Sequence, residues 1–194
     1  PGLAWPQWDK VWRIMLMTYV TLMLVRDRER VHWLVVVIAF SLAFYGVKGG
    51  IFVLTGGSGN NVRGPGGSFI EDRNSIGLAL LMTVPLLWYV RLQLKVAWQR
   101  FGLLAISVLT LIAVIGTHSR GALVGLAAMG VFFLLKARNR FAVLIGVIPV
   151  VLVVFYVMPP EWFERMHTIQ TYEDDGSAQG RIYAWKNAIA IANA

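Results

Sequence analysis

Two arginines sit where the surrounding sequence makes a cation costly. Arg120, in Thr117-His118-Ser119-Arg120-Gly121, stands between two apolar runs, and Arg181, in Gly180-Arg181-Ile182-Tyr183-Ala184-Trp185, follows the last of them. A guanidinium keeps its charge when desolvated and presents five donors in a planar fork, which suits a phosphate or pyrophosphate. Thr117 and Ser119 add hydroxyl donors beside Arg120. A helix beginning near Ser119 would aim its free N–H groups and positive dipole end at the same place. Such a group can grip an anionic, lipid-linked substrate. The competing reading is that Arg120 snorkels to lipid phosphates as an interfacial anchor.

Other polar residues are candidates of lower rank. His118 reads either as an interfacial hydrogen-bonding residue or as a participant in the chemistry, and no partner at a helical spacing makes it a metal ligand. Lys48 is an ionisable group near one end of a span, which is a functional candidate by default, and snorkelling explains it equally well. Arg73 lies in Phe69-Ile70-Glu71-Asp72-Arg73-Asn74, where Asp72 or Asn74 can cap a helix and the charges can pair locally. His32 falls at a span start, and nothing local fixes His167 against a headgroup.

The elements that must position these groups are membrane helices. The chain is 57% hydrophobic and 14% charged, against roughly 25% charged residues in a soluble domain. The apolar residues fall in blocks that approach or meet the roughly 17–25 residues a bilayer helix needs. The expected fold is therefore all-α, a polytopic integral membrane protein of about six transmembrane helices, at residues 8–25, 31–54, 75–90, 101–119, 120–135 and 141–158. Residues 1–158 form the bundle, and 159–194 open a large outer loop with helical content. Trp5, Trp8 and Trp12 make an aromatic belt at the first span, and Pro85 predicts a kink in the third. The Gly-rich link at 55–74 predicts no regular element. Beyond Ser177, a candidate cap, apolar residues recur at three and four from Ile182 to Ala192, which predicts an amphipathic helix with Arg181 at its head.

Charge orients the spans. The links at 26–30, 91–100 and 136–140 carry nine Lys or Arg and two acidic residues, Asp27 and Glu29. All three fall on one side if six spans alternate, and the positive-inside rule makes that side cytoplasmic. Arg120 and Arg181 then face outward. The fifth span is short: Gly121 to Leu135 is 15 residues, about 22 Å at 1.5 Å per residue, so it must borrow from Thr117–Arg120. The net charge of +8 has its source in these lipid-facing links, which argues for membrane lipids as partners and against nucleic acid. The chain has no cysteine, which removes disulfides, Cys-ligated zinc and iron–sulfur clusters from consideration. It opens at Pro1 and stops inside a helical pattern at Ala194, which reads as an internal fragment of a longer multi-span protein.

Several stretches together resemble the O-antigen ligase and polymerase superfamily, nearest to its branch of O-glycosylation ligases associated with the exosortase A system. They are Val47-Lys48-Gly49-Gly50, Gly64-Pro65-Gly66-Gly67-Ser68-Phe69-Ile70-Glu71-Asp72, Leu80 to Pro85, Thr117 to Gly121, and Arg181-Ile182-Tyr183-Ala184-Trp185. The family often has Asn where this chain has Arg73. The resemblance implies a multi-pass enzyme of the bacterial inner membrane with its active face in the periplasm. It implies transfer of a glycan from an undecaprenyl-pyrophosphate carrier to a lipid, glycan or protein acceptor, with no metal and no cofactor. It carries the pyrophosphate-binding role to Arg120 and Arg181 as the catalytic pair, with Ser119, Lys48, His118, Arg73 and Thr117 as substrate-binding candidates. The family's proposed base, a histidine of the large periplasmic loop, is expected beyond this fragment, since His167 lies upstream of the Arg181 motif. A repeat-unit polymerase is the alternative within the superfamily. A transporter of the same lipid-linked glycan, or a non-catalytic membrane subunit, is the alternative outside it. A transporter would carry charged groups deep in several spans, and the expected fourth, fifth and sixth spans have none between their ends.

Overall fold

The structure, a computed structural model, describes residues 4–57, 61–136, 152 and 176–192. The expected sixth span and His167 lie outside the described residues. Every regular element among the described residues is helical: α1 (Ala4–Leu24), α2 (Arg28–Leu54), α3 (Arg73–Gln93), α4 (Ala97–Gly116), α5 (Arg120–Lys136) and α6 (Gly176–Ala192). Three of them, α2, α3 and α4, are long and apolar enough to cross a membrane. Val11–Leu24 of α1 is a shorter apolar helix and α5 is apolar too, so this is a polytopic membrane protein.

The ends of these helices follow from local chemistry. The basic link after α1 returns its side chains to the helix end: Arg26 Nε donates to the Met23 carbonyl at 3.1 Å and Arg30 Nη1 to the Leu24 carbonyl at 2.8 Å. These carbonyls have no acceptor role left within the helix, so cations close it. At the start of α3, Asp72 Oδ2 accepts from Asn74 N at 2.9 Å and Ser75 N at 3.4 Å. Asp72, not Asn74, is therefore the cap. Pro85 lies inside α3, which continues through it to Gln93. The expected fourth span at 101–119 is helical from Ala97 to Gly116, and its last residues form a turn.

Packing runs through α2, α3, α4 and α5. The inward face of α2 is almost bare: Ala39, Ala43, Gly46, Gly49, Gly50 and Val53 are its buried residues. Their spacing of three and four places them on one stripe. A Cβ on Gly46 would overlap Thr110 Oγ1, and one on Gly50 would overlap the Leu109 carbonyl. At Gly50 the α2 and α4 backbones thus meet with no side chain between them, and at Gly46 the Thr110 side chain packs directly on the α2 backbone, as small-residue faces allow in lipid.

Two apolar clusters flank this seam. Ile76, Leu80, Leu81, Ala113, Val114 and Ala122 join the start of α3, the end of α4 and the start of α5. Ala39, Ala43, Leu87, Val90 and Leu103 join the other half of the bundle. The helices therefore alternate in direction, and the basic links 26–30 and 91–100 share one end. There Arg91 Nε reaches the Arg100 carbonyl at 3.2 Å and its guanidinium lies 4.8 Å from the Trp88 ring centroid. Arg120, Arg73 and the Gly-rich loop share the opposite end.

Candidate functional site

The loop before α3 folds on itself through its own backbone. Val62 N donates to the Gly116 carbonyl at 2.9 Å, which ties the loop to the end of α4. Gly64 N donates to the Glu71 carbonyl at 3.1 Å and Gly67 N to Glu71 Oε2 at 2.7 Å. Ser68 Oγ donates to the Pro65 carbonyl at 2.7 Å. Gly67 has φ 73°, and a Cβ on Gly64 would overlap the Ile70 carbonyl. Gly67 is thus set by conformation and Gly64 by close approach. Glu71 and Asp72 direct their carboxylates to backbone amides, not to local cations.

The turn between α4 and α5 is built in the same way. Thr117, with 0% of its surface exposed, donates its hydroxyl to the Val114 carbonyl at 2.7 Å and accepts from Ser119 N at 3.3 Å. His118 takes φ 51°, a region where residues other than glycine are uncommon and which clusters at functional sites. Ser119 is 2% exposed and caps α5, its Oγ accepting from Ala122 N at 3.2 Å. The Ser119 hydroxyl in turn donates to Asn74 Oδ1, 2.8 Å away on α3. Gly77 permits this approach, since a Cβ there would lie 2.9 Å from Thr117 Oγ1 and 3.0 Å from Ala122 Cβ.

The candidate residues are therefore not equivalent. Thr117 and Ser119 are buried, and their hydroxyls hold the turn. The burial has a simple cause: a helix start packed against another helix must satisfy its free amides internally. Arg120 is the first residue of α5 and half-buried, His118 beside it is half-buried, and Arg73 is the half-buried first residue of α3. The caps of α3 and α5 are linked through Asn74, so Arg73 and Arg120 lead two joined helix starts. Lys48 is exposed on α2, beside the buried Gly49. Arg181 stands inside α6, which begins at Gly176, so it is not at the helix head and Ser177 is not a cap. The Arg181 side chain lies outside the described residues, as does its expected convergence with Arg120.

Two further residues belong to this end of the bundle. Asn74 is visible in the sequence only as a possible cap, because its partner lies 45 residues away. Arg63 is exposed in the same loop, and the charge rule that singles out Arg120 applies to it too. A crevice of about 580 Å³ runs between α1 and Phe69, lined also by Asp9, Arg13, Met17 and Thr21. Asp9 and Arg13 pair there at 2.8 Å. Among the described residues, no three His, Cys, Asp or Glu side chains converge as a metal site would require.

Residues 105–194 match the O-antigen ligase family. An O-antigen ligase domain is thus present over part of the chain. Residues 1–94 match a family of unknown function, DUF5935. No curated protein and no solved structure matches. The ligase segment contains Thr117, His118, Ser119, Arg120 and Arg181, whereas Lys48, Arg63, Arg73 and Asn74 belong to the other. The hydrogen bond from Ser119 to Asn74 crosses from one segment to the other.

Proposed function

We infer that the chain transfers a glycan from an undecaprenyl-pyrophosphate carrier to an acceptor hydroxyl at the periplasmic face of the bacterial inner membrane. The observation that carries this reading is Arg120: a half-buried cation leading α5, at the end of the bundle away from the basic links, inside the segment that matches the ligase family. The family match supports glycan transfer as the chemistry. The placing of the basic links 26–30 and 91–100 at one end of the bundle supports the orientation, with six alternating spans.

In the proposed reaction the acceptor oxygen attacks the anomeric carbon of the glycan. The bond from that carbon to the pyrophosphate oxygen breaks, and undecaprenyl pyrophosphate leaves with the electron pair. Arg120 and Arg181 offset the charge that grows on the leaving group. Arg73 and Lys48 add positive potential for an anionic headgroup, and His118 stands beside Arg120 to orient it. The acceptor proton passes to a base that none of these residues supplies. The crevice between α1 and Phe69 is a groove for the isoprenoid chain. Its apolar wall and its Arg13–Asp9 pair fit a lipid with a polar head. The Gly-Pro loop and the later Arg-x-x-x-Trp favour the O-glycosylation branch associated with the exosortase A system.

The test is reconstitution of the full-length protein with undecaprenyl-pyrophosphate glycan and candidate acceptors. Glycan appearing on a lipid or protein acceptor is the expected product. Glycan joined only to further glycan would identify a polymerase, and movement of the intact donor across the bilayer without transfer would identify a transporter.

A further inference from the structure

We propose that Asn74 is a positioning residue for Arg120, acting through the Ser119 hydroxyl, and that residues 1–94 thereby help to build the anion site carried by the ligase-family segment. The inference rests on the reading of Arg120 as a pyrophosphate ligand.

The Ser119 hydroxyl has one hydrogen to give. It gives it to Asn74 Oδ1 at 2.8 Å while accepting from Ala122 N at 3.2 Å. At 2% exposure, the hydroxyl has no bulk water to turn to if Asn74 is removed, and an unmatched buried donor is unfavourable. Asn74 is itself fixed, because its own backbone N–H is held by the Asp72 cap at 2.9 Å. A continuous chain of polar contacts therefore runs from the Asp72 carboxylate through Asn74 and Ser119 to the first turn of α5. Arg120 is the residue immediately after Ser119, so the backbone position from which its guanidinium extends follows Ser119.

The covalent side of Arg120 does not fix it as well. The chain arrives through His118 at φ 51°, a conformation that persists only when its surroundings hold it. Among those surroundings are the close approach of Gly77 to Thr117 and Ala122, and the Asn74 bond, all from α3. Helix α3 lies in the segment matching the family of unknown function, and its loop is tied back to α4 by Val62. Through this pairing that segment holds the start of α5 at a fixed height and rotation.

The experiment uses the full-length protein in detergent micelles with undecaprenyl pyrophosphate as the probe. It reads two things: the dissociation constant, and hydrogen exchange at the Ala122 and Leu123 amides. Asn74→Leu should speed exchange at both amides and weaken binding by about tenfold to a hundredfold, the scale for losing one hydrogen bond to a charged group. In an Arg120→Ala background, Asn74→Leu should weaken binding no further, because both changes remove one interaction. Asn74→Asp keeps an acceptor oxygen and should restore slow exchange, and Asn74→Ala replaces the leucine variant if that variant does not fold. The proposal is overturned if Arg120→Ala weakens binding while Asn74→Leu leaves binding or exchange unchanged. It is also overturned if the two losses multiply, which is the behaviour of a general destabilisation. Undiminished binding by Arg120→Ala would remove the pyrophosphate reading itself, and the positioning role with it.

Discussion

Gly46 on α2 and Thr110 on α4 stand so close that no methyl group fits between them. Thr110 is fully buried, and its hydroxyl is already turned back to the Ile106 carbonyl at 2.8 Å. Gly46→Ala gains about 1 kcal/mol of helix propensity but overpacks the seam at a cost of about 1–3 kcal/mol. The net effect should be destabilising, read as a lower midpoint in thermal unfolding of the purified protein. Adding Thr110→Ala should restore stability toward the native value, because it vacates the space the new methyl needs. Equal destabilisation by the single and double variants would show that the seam is not where the strain arises.

Arg120→Ala should lower transfer by about a hundredfold to a thousandfold, the scale for loss of one preorganised donor to developing charge. Arg120→Lys should recover only part of it, since an ammonium keeps the charge and loses the fork. Full activity in the lysine variant would mean that charge alone matters at this position, as for an interfacial anchor. The measurement is initial rate in proteoliposomes at saturating donor.

The crevice beside α1 should contain lipid. A photoreactive residue placed at Met17 or Thr18, both of which line it, should crosslink to a photoreactive or radiolabelled polyprenyl phosphate added to membranes. The same group at Trp98, exposed on α4, is the comparison site. Equal labelling at both positions would mean only that α1 faces bulk bilayer.

Orientation can be read with single cysteines, since the chain has none of its own. Cysteines at 28, 97 and 138 should resist a membrane-impermeant thiol reagent added from the periplasm, and one at 60 should react. Labelling of the first three from the periplasm would invert the topology and place Arg120 on the wrong face for a periplasmic donor.

The helical membrane architecture was legible because lipid imposes a length and an apolar content on each span, and both are written in one dimension. The start of α5 was legible for a related reason: a serine before an apolar run is a local signal. The role of that serine was not. In the sequence Ser119 is only a hydroxyl beside Arg120; its bond to Asn74 is a contact across 45 residues and leaves no trace in spacing. The φ of His118 is equally silent, because a single left-handed residue other than glycine leaves no mark in composition or spacing. In α6, Gly176 and Ser177 favour a turn by composition, yet the helix includes both. Propensity is a small preference that helical neighbours override.

The bare seam between α2 and α4 also has a history in time. Leu109 follows Gly50 by 59 residues, and the α3 helix is made in between. At synthesis rates of about 5–20 residues per second, α2 would wait roughly 3–12 seconds for its partner backbone. During that interval its glycine stripe is open to any other helix in the bilayer. Keeping α2 unclaimed until α4 is born thus falls to the insertion machinery or to α3. A misassembled protein should be one in which a foreign helix has taken the place of α4.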